Sequence, residues 1–86
     1  MVFQYVWLKI LEALVRSGRS VTLTELRGAL AQRNFFVGER ELEEAILKLQ
    51  DLELVETLVL AGMPGSSVSV TVTAKGERKL RSIVHL

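Results

Sequence analysis

The chain has 86 residues, a formal net charge of +1, 49% hydrophobic residues and no cysteine. This length fits one domain, residues 1–86, and the lack of cysteine excludes disulfides, cysteine nucleophiles and cysteine-bound metals. Lys9, Glu12 and Arg16 interrupt the apolar N-terminal run, which argues against a signal peptide and a membrane span, so we expect a cytoplasmic protein without membrane contact.

The first predicted helix covers residues 3–17 and ends at Gly18. Its apolar positions extend around most of the helix, whereas a surface helix needs an apolar stripe on one side only. Because one small core is not expected to cover them all, we expect a homodimer built by the first and last helices. The candidate interface residues are Val2, Phe3, Val6, Trp7, Ile10, Leu80, Ile83 and Val84.

A second helix is predicted over about residues 23–33. Thr22 and Glu25 have the spacing of a capping box, in which each residue accepts a hydrogen bond from the backbone of the other. Asn34 can adopt the left-handed conformation that ends a helix. The predicted inward face consists of Leu23, Leu26, Ala29 and Leu30.

A third helix and a hairpin follow. Gly38 is placed to begin a helix over about residues 39–52. Two β-prone runs, 54–61 and 68–73, flank a Pro64-Gly65 pair that suits a type II turn, and Thr73 can cap a last helix over about 74–84. The predicted core face of the third helix is Leu42, Ala45, Ile46, Leu49 and Leu52.

This order of elements resembles the winged helix-turn-helix family. Residues 21–26 (VTLTEL) resemble the start of the first motif helix, and residues 39–49 (ERELEEAILKL) with 54–56 (LVE) resemble a recognition helix that leads into the wing. Residues 72–76 (VTAKG) resemble the step that follows the wing in several repressor groups. The resemblance implies an α+β, mainly helical fold of three helices, a two-stranded wing hairpin and a C-terminal helix.

The same resemblance implies a dimeric transcriptional regulator that binds double-stranded DNA. A glycine commonly follows the recognition helix of this family, whereas this chain has Glu53, which predicts a different exit turn or mild strain. The candidate DNA-binding residues are Arg19, Thr22, Thr24, Arg27, Arg33, Arg40, Glu43, Glu44 and Leu47.

The charges along the chain do not all favour DNA. Residues 39–58 carry seven acidic and two basic side chains. Arg40 suits a bidentate pair with guanine, whereas Glu43 and Glu44 can accept from cytosine amino groups but repel phosphates. The predicted wing tip, residues 62–67, contains no lysine or arginine for a phosphate contact.

A second interpretation therefore stays open, in which the domain is a protein-interaction adaptor or assembly subunit. The acidic third helix then docks a basic protein partner, the arginines are a solvated surface, and Thr22 is only a helix cap. Phe3, Tyr5 and Trp7 fit a core or dimer interface better than a platform that stacks single-stranded bases.

Catalytic and metal-binding patterns are missing from the sequence. The single histidine is His85, and no spacing suits a catalytic triad or a metal site. Glu39, Glu41, Glu43 and Glu44 fit a solvated helix N-terminus, which the helix dipole favours, better than a divalent-metal cluster. We expect no enzyme activity, no cofactor and no metal.

Overall fold

The described residues, 4–60 and 67–83 of the computed structural model, form four helices and three strands. The elements in chain order are α1 (Tyr5–Ser17), β1 (Val21–Thr22), α2 (Leu23–Ala31), α3 (Glu39–Asp51), β2 (Val55–Leu60), β3 (Ser67–Val72) and α4 (Ala74–Ile83). This order confirms the predicted α+β, mainly helical fold class, with the addition of β1. None of the described helices is long and apolar enough to cross a membrane.

Helix α1 lies at the centre of the fold. It contacts α2, α3, α4 and β3, and it ends as predicted at Gly18, whose φ is 66° and whose N–H donates to the carbonyl of Leu14. Its buried side chains are Trp7, Ile10, Leu11 and Leu14. Four more pack against the core while half-buried, namely Val6, Leu8, Ala13 and Val15.

The expectation that one core cannot cover the apolar surface of α1 is therefore wrong. Because other elements surround the helix, its wide apolar arc is covered within the chain. Trp7, Ile10 and Leu80, which were predicted at a dimer interface, are 5%, 0% and 6% exposed and belong to the core. Val6 and Ile83 are half-buried at the surface, whereas Val2, Phe3 and Val84 lie outside the described residues.

The start of α2 has the predicted capping box. The Thr22 hydroxyl accepts from the Glu25 N–H at 3.2 Å, and the Glu25 carboxylate accepts from the Thr22 N–H at 3.0 Å. Leu26 and Leu30 are buried, but Ala29 is exposed, which corrects its predicted inward placement. One residue turns the helix by about 100°, so Ala29 faces away from the side that carries Leu26 and Leu30.

Helix α2 ends two residues earlier than predicted. Asn34 has the expected left-handed conformation, with a φ of 60°. Its N–H donates to Ala31 and the Phe35 N–H donates to Leu30, which is the Schellman pattern that satisfies the last carbonyls of a helix.

The predicted hairpin forms as β2 and β3, with Val55 opposite Val72 and Leu60 opposite Ser67. Strand β3 is the middle strand of a three-stranded antiparallel sheet in the order β1-β3-β2. Val70 on β3 is buried, because alternate residues of a strand face opposite sides of the sheet and position 70 faces the core. The predicted turn at Pro64-Gly65 lies outside the described residues, as does His85.

Helix α3 buries Leu42, Ala45, Ile46 and Leu49 as predicted. Glu53 leaves the helix in the left-handed conformation, with a φ of 63°. Its N–H donates to Gln50 and the Leu54 N–H donates to Leu49. The exit turn therefore has the geometry that a glycine would adopt, and the predicted strain falls on Glu53.

Thr73 joins this turn to α4. Its hydroxyl donates to the Glu53 carbonyl at 2.8 Å and accepts from the Gly76 N–H at 3.0 Å, so it caps α4 as predicted. A Cβ atom on Gly76 would lie 2.2 Å from the Leu54 carbonyl oxygen. The absence of a side chain at position 76 is what allows α4 to pack against the strand that leaves α3.

Candidate nucleic-acid interface

The outward face of α3 is exposed along its length. At 100° per residue, Arg40, Glu43, Glu44, Leu47 and Asp51 fall on the side opposite the buried residues of the helix, and all five are exposed. Leu47 is 60% exposed, with carboxylates of this face on either side of it in sequence. The face carries three negative charges and one positive charge, so a ligand that binds along it must tolerate carboxylates.

The N-terminal end of α3 is more favourable to an anion. Gly38 occupies the N-cap position in an extended conformation and has no side chain to accept from the first N–H groups of the helix. These N–H groups and the helix dipole attract negative charge, although Glu39 and Glu41 in the first turn oppose this. Arg40 lies in the same turn and is exposed.

A groove runs beside this end of α3. Thr24, Arg27, Gly28 and Ala31 recur at helical spacing on one face of α2, and with Phe36 and Val37 they line a groove of about 370 Å³. Phe36 is 78% exposed. Because residues 36 and 37 directly precede Gly38, the groove leads to the N-terminus of α3. The α2–α3 corner, defined here as Thr24, Arg27, Phe36 and Arg40, thus combines two guanidinium groups with an exposed aromatic ring.

The guanidinium groups of this corner are free of internal charge partners. Among residues 4–60 and 67–83, ion pairs join Arg19 to Glu25 at 3.1 Å and Lys75 to Glu53 at 3.5 Å. Neither Arg27 nor Arg40 takes part in one of these pairs. Both arginines can therefore bind an external anion without breaking an existing ion pair.

Arg19, Thr22 and Arg33 lie apart from the corner. Arg19 donates to Glu25 at 3.1 Å and to the Ser20 carbonyl at 3.1 Å, while Thr22 is engaged in the capping box. These two donors, first the Thr22 backbone and then Arg19, lower the pKa of Glu25. Arg33 is exposed beyond the opposite end of α2. Of the predicted candidates, Thr24 and Arg27 line the groove, and Arg40 lies in the first turn of α3, just after the connector that supplies the other lining residues.

Phe36, Gly28 and Ala31 are site residues that the sequence analysis did not identify. Phe35 and Phe36 form an apolar connector in the sequence, but only Phe35 packs inward, with its ring 5.8 Å from that of Tyr5. Three residues connect the helix stop at Asn34 to the helix start at Gly38. Two adjacent aromatic rings in so short a connector are not both expected to turn inward, and this is a signal that the sequence contains.

The carboxylates of α3 do not form a metal centre in the described residues. No group of three or more metal-ligating side chains occurs among residues 4–60 and 67–83. Glu39, Glu41, Glu43 and Glu44 are all exposed and are divided between two sides of α3, since residues 39 and 43 share one side and residues 41 and 44 share another.

Comparison with known proteins identifies the fold. No family model matches the chain, and no curated protein matches its sequence. A winged-helix DNA-binding protein from STIV superposes with a TM-score of 0.79 at 18% identity, covering 96% of this chain and 87% of that one. A PadR family transcription regulator from Clostridium difficile R20291 gives 0.79 at 15% identity, covering 93% and 83%.

A third similar structure contains nucleic acid. A mutant MarR from E. coli complexed with operator DNA superposes with a TM-score of 0.72 at 21% identity. The match covers 95% of this chain but 56% of the MarR chain, so this chain corresponds to about half of that regulator. At such low sequence identities the similarity is one of backbone structure alone. It shows that the chain has the winged helix-turn-helix fold.

Proposed function

We propose that this chain binds double-stranded DNA and acts, without catalysis, as a transcriptional regulator in the cytoplasm. The observation that carries the proposal is the α2–α3 corner, where Arg27 and Arg40 are exposed and free of internal ion pairs on the two helices of the helix-turn-helix. The superposition on a winged-helix DNA-binding protein and on a MarR structure with operator DNA supports the same role.

Each residue of the corner has a contact that suits its chemistry. Arg40, in the first turn of α3, is placed to pair with a guanine edge in the major groove. Arg27 and Thr24 on α2 are donors for backbone phosphates. The carboxylates of Glu43 and Glu44 oppose nearby phosphates, so we expect weak non-specific binding and a preference for sites with cytosine amino groups opposite these side chains.

The first test measures the binding of a labelled random duplex by fluorescence anisotropy, first in about 50 mM salt and then in about 200 mM salt. Each neutralised phosphate contributes about −0.9 to the slope of log affinity against log salt. The corner of one copy therefore predicts a slope of about −0.9 with Arg27 alone on a phosphate, and of about −1.8 with both guanidinium groups on phosphates. Absence of binding at the lower salt concentration would refute the proposal.

Charge reversals locate the surface. Arg27→Glu and Arg40→Glu should each weaken binding by about tenfold or more, since each removes a cation and adds an anion beside phosphate. Arg16→Glu is the matched control, because it makes the same charge change on an exposed residue of α1. An equal loss with Arg16→Glu would mean that only net charge matters and that the corner is not the interface.

We also propose that the protein acts as a homodimer joined near the two ends of the chain, which we call the terminal dimer. Fewer residues of α1 are available for this interface than the sequence predicts, because Trp7 and Ile10 are buried in the core. Val6 and Ile83 remain at the surface, and Val2, Phe3 and Val84 add apolar residues in the sequence next to them. Two copies joined there could present α3 to half-sites about one DNA turn apart. A monomer in sedimentation at micromolar concentration would contradict this part.

A protein-interaction adaptor is the second candidate, because Leu47 is exposed on a face with three carboxylates. A basic protein segment with an apolar residue fits that face. A synthetic lysine- and arginine-rich peptide should then bind in a salt-dependent way, and Glu43→Lys with Glu44→Lys should abolish the binding. Peptide binding without any duplex binding would select this candidate over the first.

A further inference from the structure

Helix α3 carries an acidic stripe that has no partner within the described chain. Leu47 lies four residues after Glu43, three after Glu44 and four before Asp51, which places the four residues along one side of the helix over about 12 Å. All four are exposed, and none of the three carboxylates forms an ion pair with a described residue. We call this row the acidic stripe.

Helix α4 carries a basic stripe of similar length. Lys75, Arg78 and Arg81 recur every three residues over about 9 Å and are all exposed, because Gly76 and Leu80 turn inward. Arg78 and Arg81 form no ion pair with a described residue. We call this row the basic stripe.

No ion pair among the described residues joins the two stripes. Lys75 of the basic stripe pairs instead with Glu53, just beyond the end of α3 and outside the acidic stripe, at 3.5 Å. Helix α4 packs on α1, while α3 packs on α1, α2 and β2. The remaining charges of both stripes therefore face solvent, although they are opposite in sign and similar in extent.

From this match we propose that the acidic stripe of one copy docks on the basic stripe of a second copy. Charge complementarity selects this occupant, since each copy supplies both stripes and Leu47 supplies an apolar contact within the acidic one. The interface differs from the terminal dimer proposed above and does not depend on DNA binding. It covers the outward face of α3, so self-association through it excludes DNA from that face.

The association is expected to be weak and sensitive to salt. Ion pairs between exposed side chains contribute little and are screened as ionic strength rises. We therefore expect it at protein concentrations of hundreds of micromolar in about 20 mM salt, and we expect its loss in about 0.5 M salt. We call the species present in about 0.5 M salt, whether monomer or terminal dimer, the reference species.

Sedimentation velocity of charge-swapped variants tests the proposal without DNA. The α3 variant carries Glu43→Lys and Glu44→Lys, and the α4 variant carries Arg78→Glu and Arg81→Glu. In about 20 mM salt each variant alone should sediment as the reference species, because its two stripes now repel. An equimolar mixture should associate again, since the reversed stripes are complementary to each other.

A matched control separates the stripes from net charge. Arg16→Glu with Arg33→Glu changes the net charge as much as the α4 variant does, at exposed residues outside both stripes. Because it keeps both stripes, this control alone should associate in about 20 mM salt as the wild type does, whereas the α4 variant of equal net charge should not. Loss of association in the control to the same extent as in the α4 variant, or no association of the charge-swapped mixture, would overturn the proposal.

Two further measurements distinguish the loss of a docking surface from the unfolding of a variant. Thermal melts followed by circular dichroism establish that each variant is folded before it is mixed. The neutral pair Arg78→Gln with Arg81→Gln adds no carboxylate near the end of α4 and should also lose self-association at low salt. Retention of wild-type association by this folded variant would exclude the basic stripe as the docking surface.

Discussion

At the scale of single residues, Glu53 occupies a conformation that favours glycine. Its φ of 63° places its side chain where the backbone crowds it, a cost of about 1–2 kcal/mol for a residue with a Cβ atom. The ion pair with Lys75 offsets little of this, because the two side chains are 80% and 56% exposed. The exit from α3 is therefore a place where the fold imposes a geometry that the sequence does not favour.

Glu53→Gly should stabilise the protein by about 1 kcal/mol, since glycine adopts the left-handed conformation without the clash. Urea denaturation followed by circular dichroism measures the change. Glu53→Ala is the matched control, because it removes the same ion pair but keeps the Cβ atom, and it should not stabilise. A gain with alanine equal to that with glycine would mean that the carboxylate, and not the backbone, causes the cost.

Two glycines in helices should respond oppositely to alanine. Gly76→Ala places a Cβ atom 2.2 Å from the Leu54 carbonyl oxygen and 2.8 Å from a Val72 methyl group, so we expect a loss of about 1–3 kcal/mol. Gly28→Ala meets no atom within 4 Å and should gain about 0.5–1 kcal/mol from helix propensity. Denaturation midpoints measure both, and equal effects would contradict the packing argument.

At the scale of elements, the capping box makes the stability of α2 depend on pH. The pKa of Glu25 lies below its ordinary value of 4.5, first because the Thr22 N–H donates to its carboxylate and then because Arg19 does. A carboxyl whose folded pKa is lowered stabilises the fold above the unfolded pKa. That stabilisation disappears as the pH falls through the folded pKa.

Glu25→Gln should therefore lower stability at pH 7 and flatten its decline between about pH 5 and pH 3. Thermal unfolding at a series of pH values measures the profile. Glu44→Gln is the control, since it neutralises an exposed carboxylate that belongs to no cap, and it should leave the slope close to that of the wild type. A wild-type slope in Glu25→Gln would contradict the assignment.

The helices could be predicted from the sequence because their signals are local. Gly18, Thr22 with Glu25, Asn34 and Thr73 each mark a helix end within a few residues, and each acts in the structure as expected. Strand β1 could not be predicted in this way. Two extended residues carry no period of their own, and Val21 becomes a strand only because it pairs with Val70 of β3, far away in sequence.

The candidate site could be predicted only in part, for the same reason. Arg27 and Arg40 were identified by their charge and by the helix on which each lies. Phe36 and Gly28 were missed because their role depends on how α2 meets the connector to α3, which is a tertiary property. The sequence predicts a DNA contact for Arg19, whereas its guanidinium donates to Glu25 within the chain.

At the scale of the whole molecule, the fold concentrates its apolar surface around α1 and leaves its charge on the outside. The core residues of α1 are contacted from several sides by α2, α3, α4 and β3. The outer faces of α3 and α4 are left with opposite charges. Because these charges are exposed, we expect any binding through these two faces to vary with ionic strength.

Reversing the acidic stripe should increase affinity for DNA. Glu43→Lys with Glu44→Lys exchanges repulsion for attraction on the outward face of α3, which the proposed DNA complex places at the major groove, so we expect at least a tenfold gain for a random duplex and a steeper salt slope. Anisotropy measures both quantities. Unchanged DNA affinity, together with loss of binding in Arg27→Glu, would place the contact on α2 and away from the outward face of α3.

The order of the elements along the chain has a consequence for biosynthesis. A ribosome makes α1 first, yet two of the elements that cover it, β3 and α4, are made last, and β1 gains its hydrogen bonds only when β3 is available. The nascent chain therefore carries α1 with only its α2 and α3 contacts available until β3 and α4 are made. A product that ends after β2 keeps the side of α1 that packs on β3 and α4 exposed, which we expect to make it a substrate for chaperones and proteases.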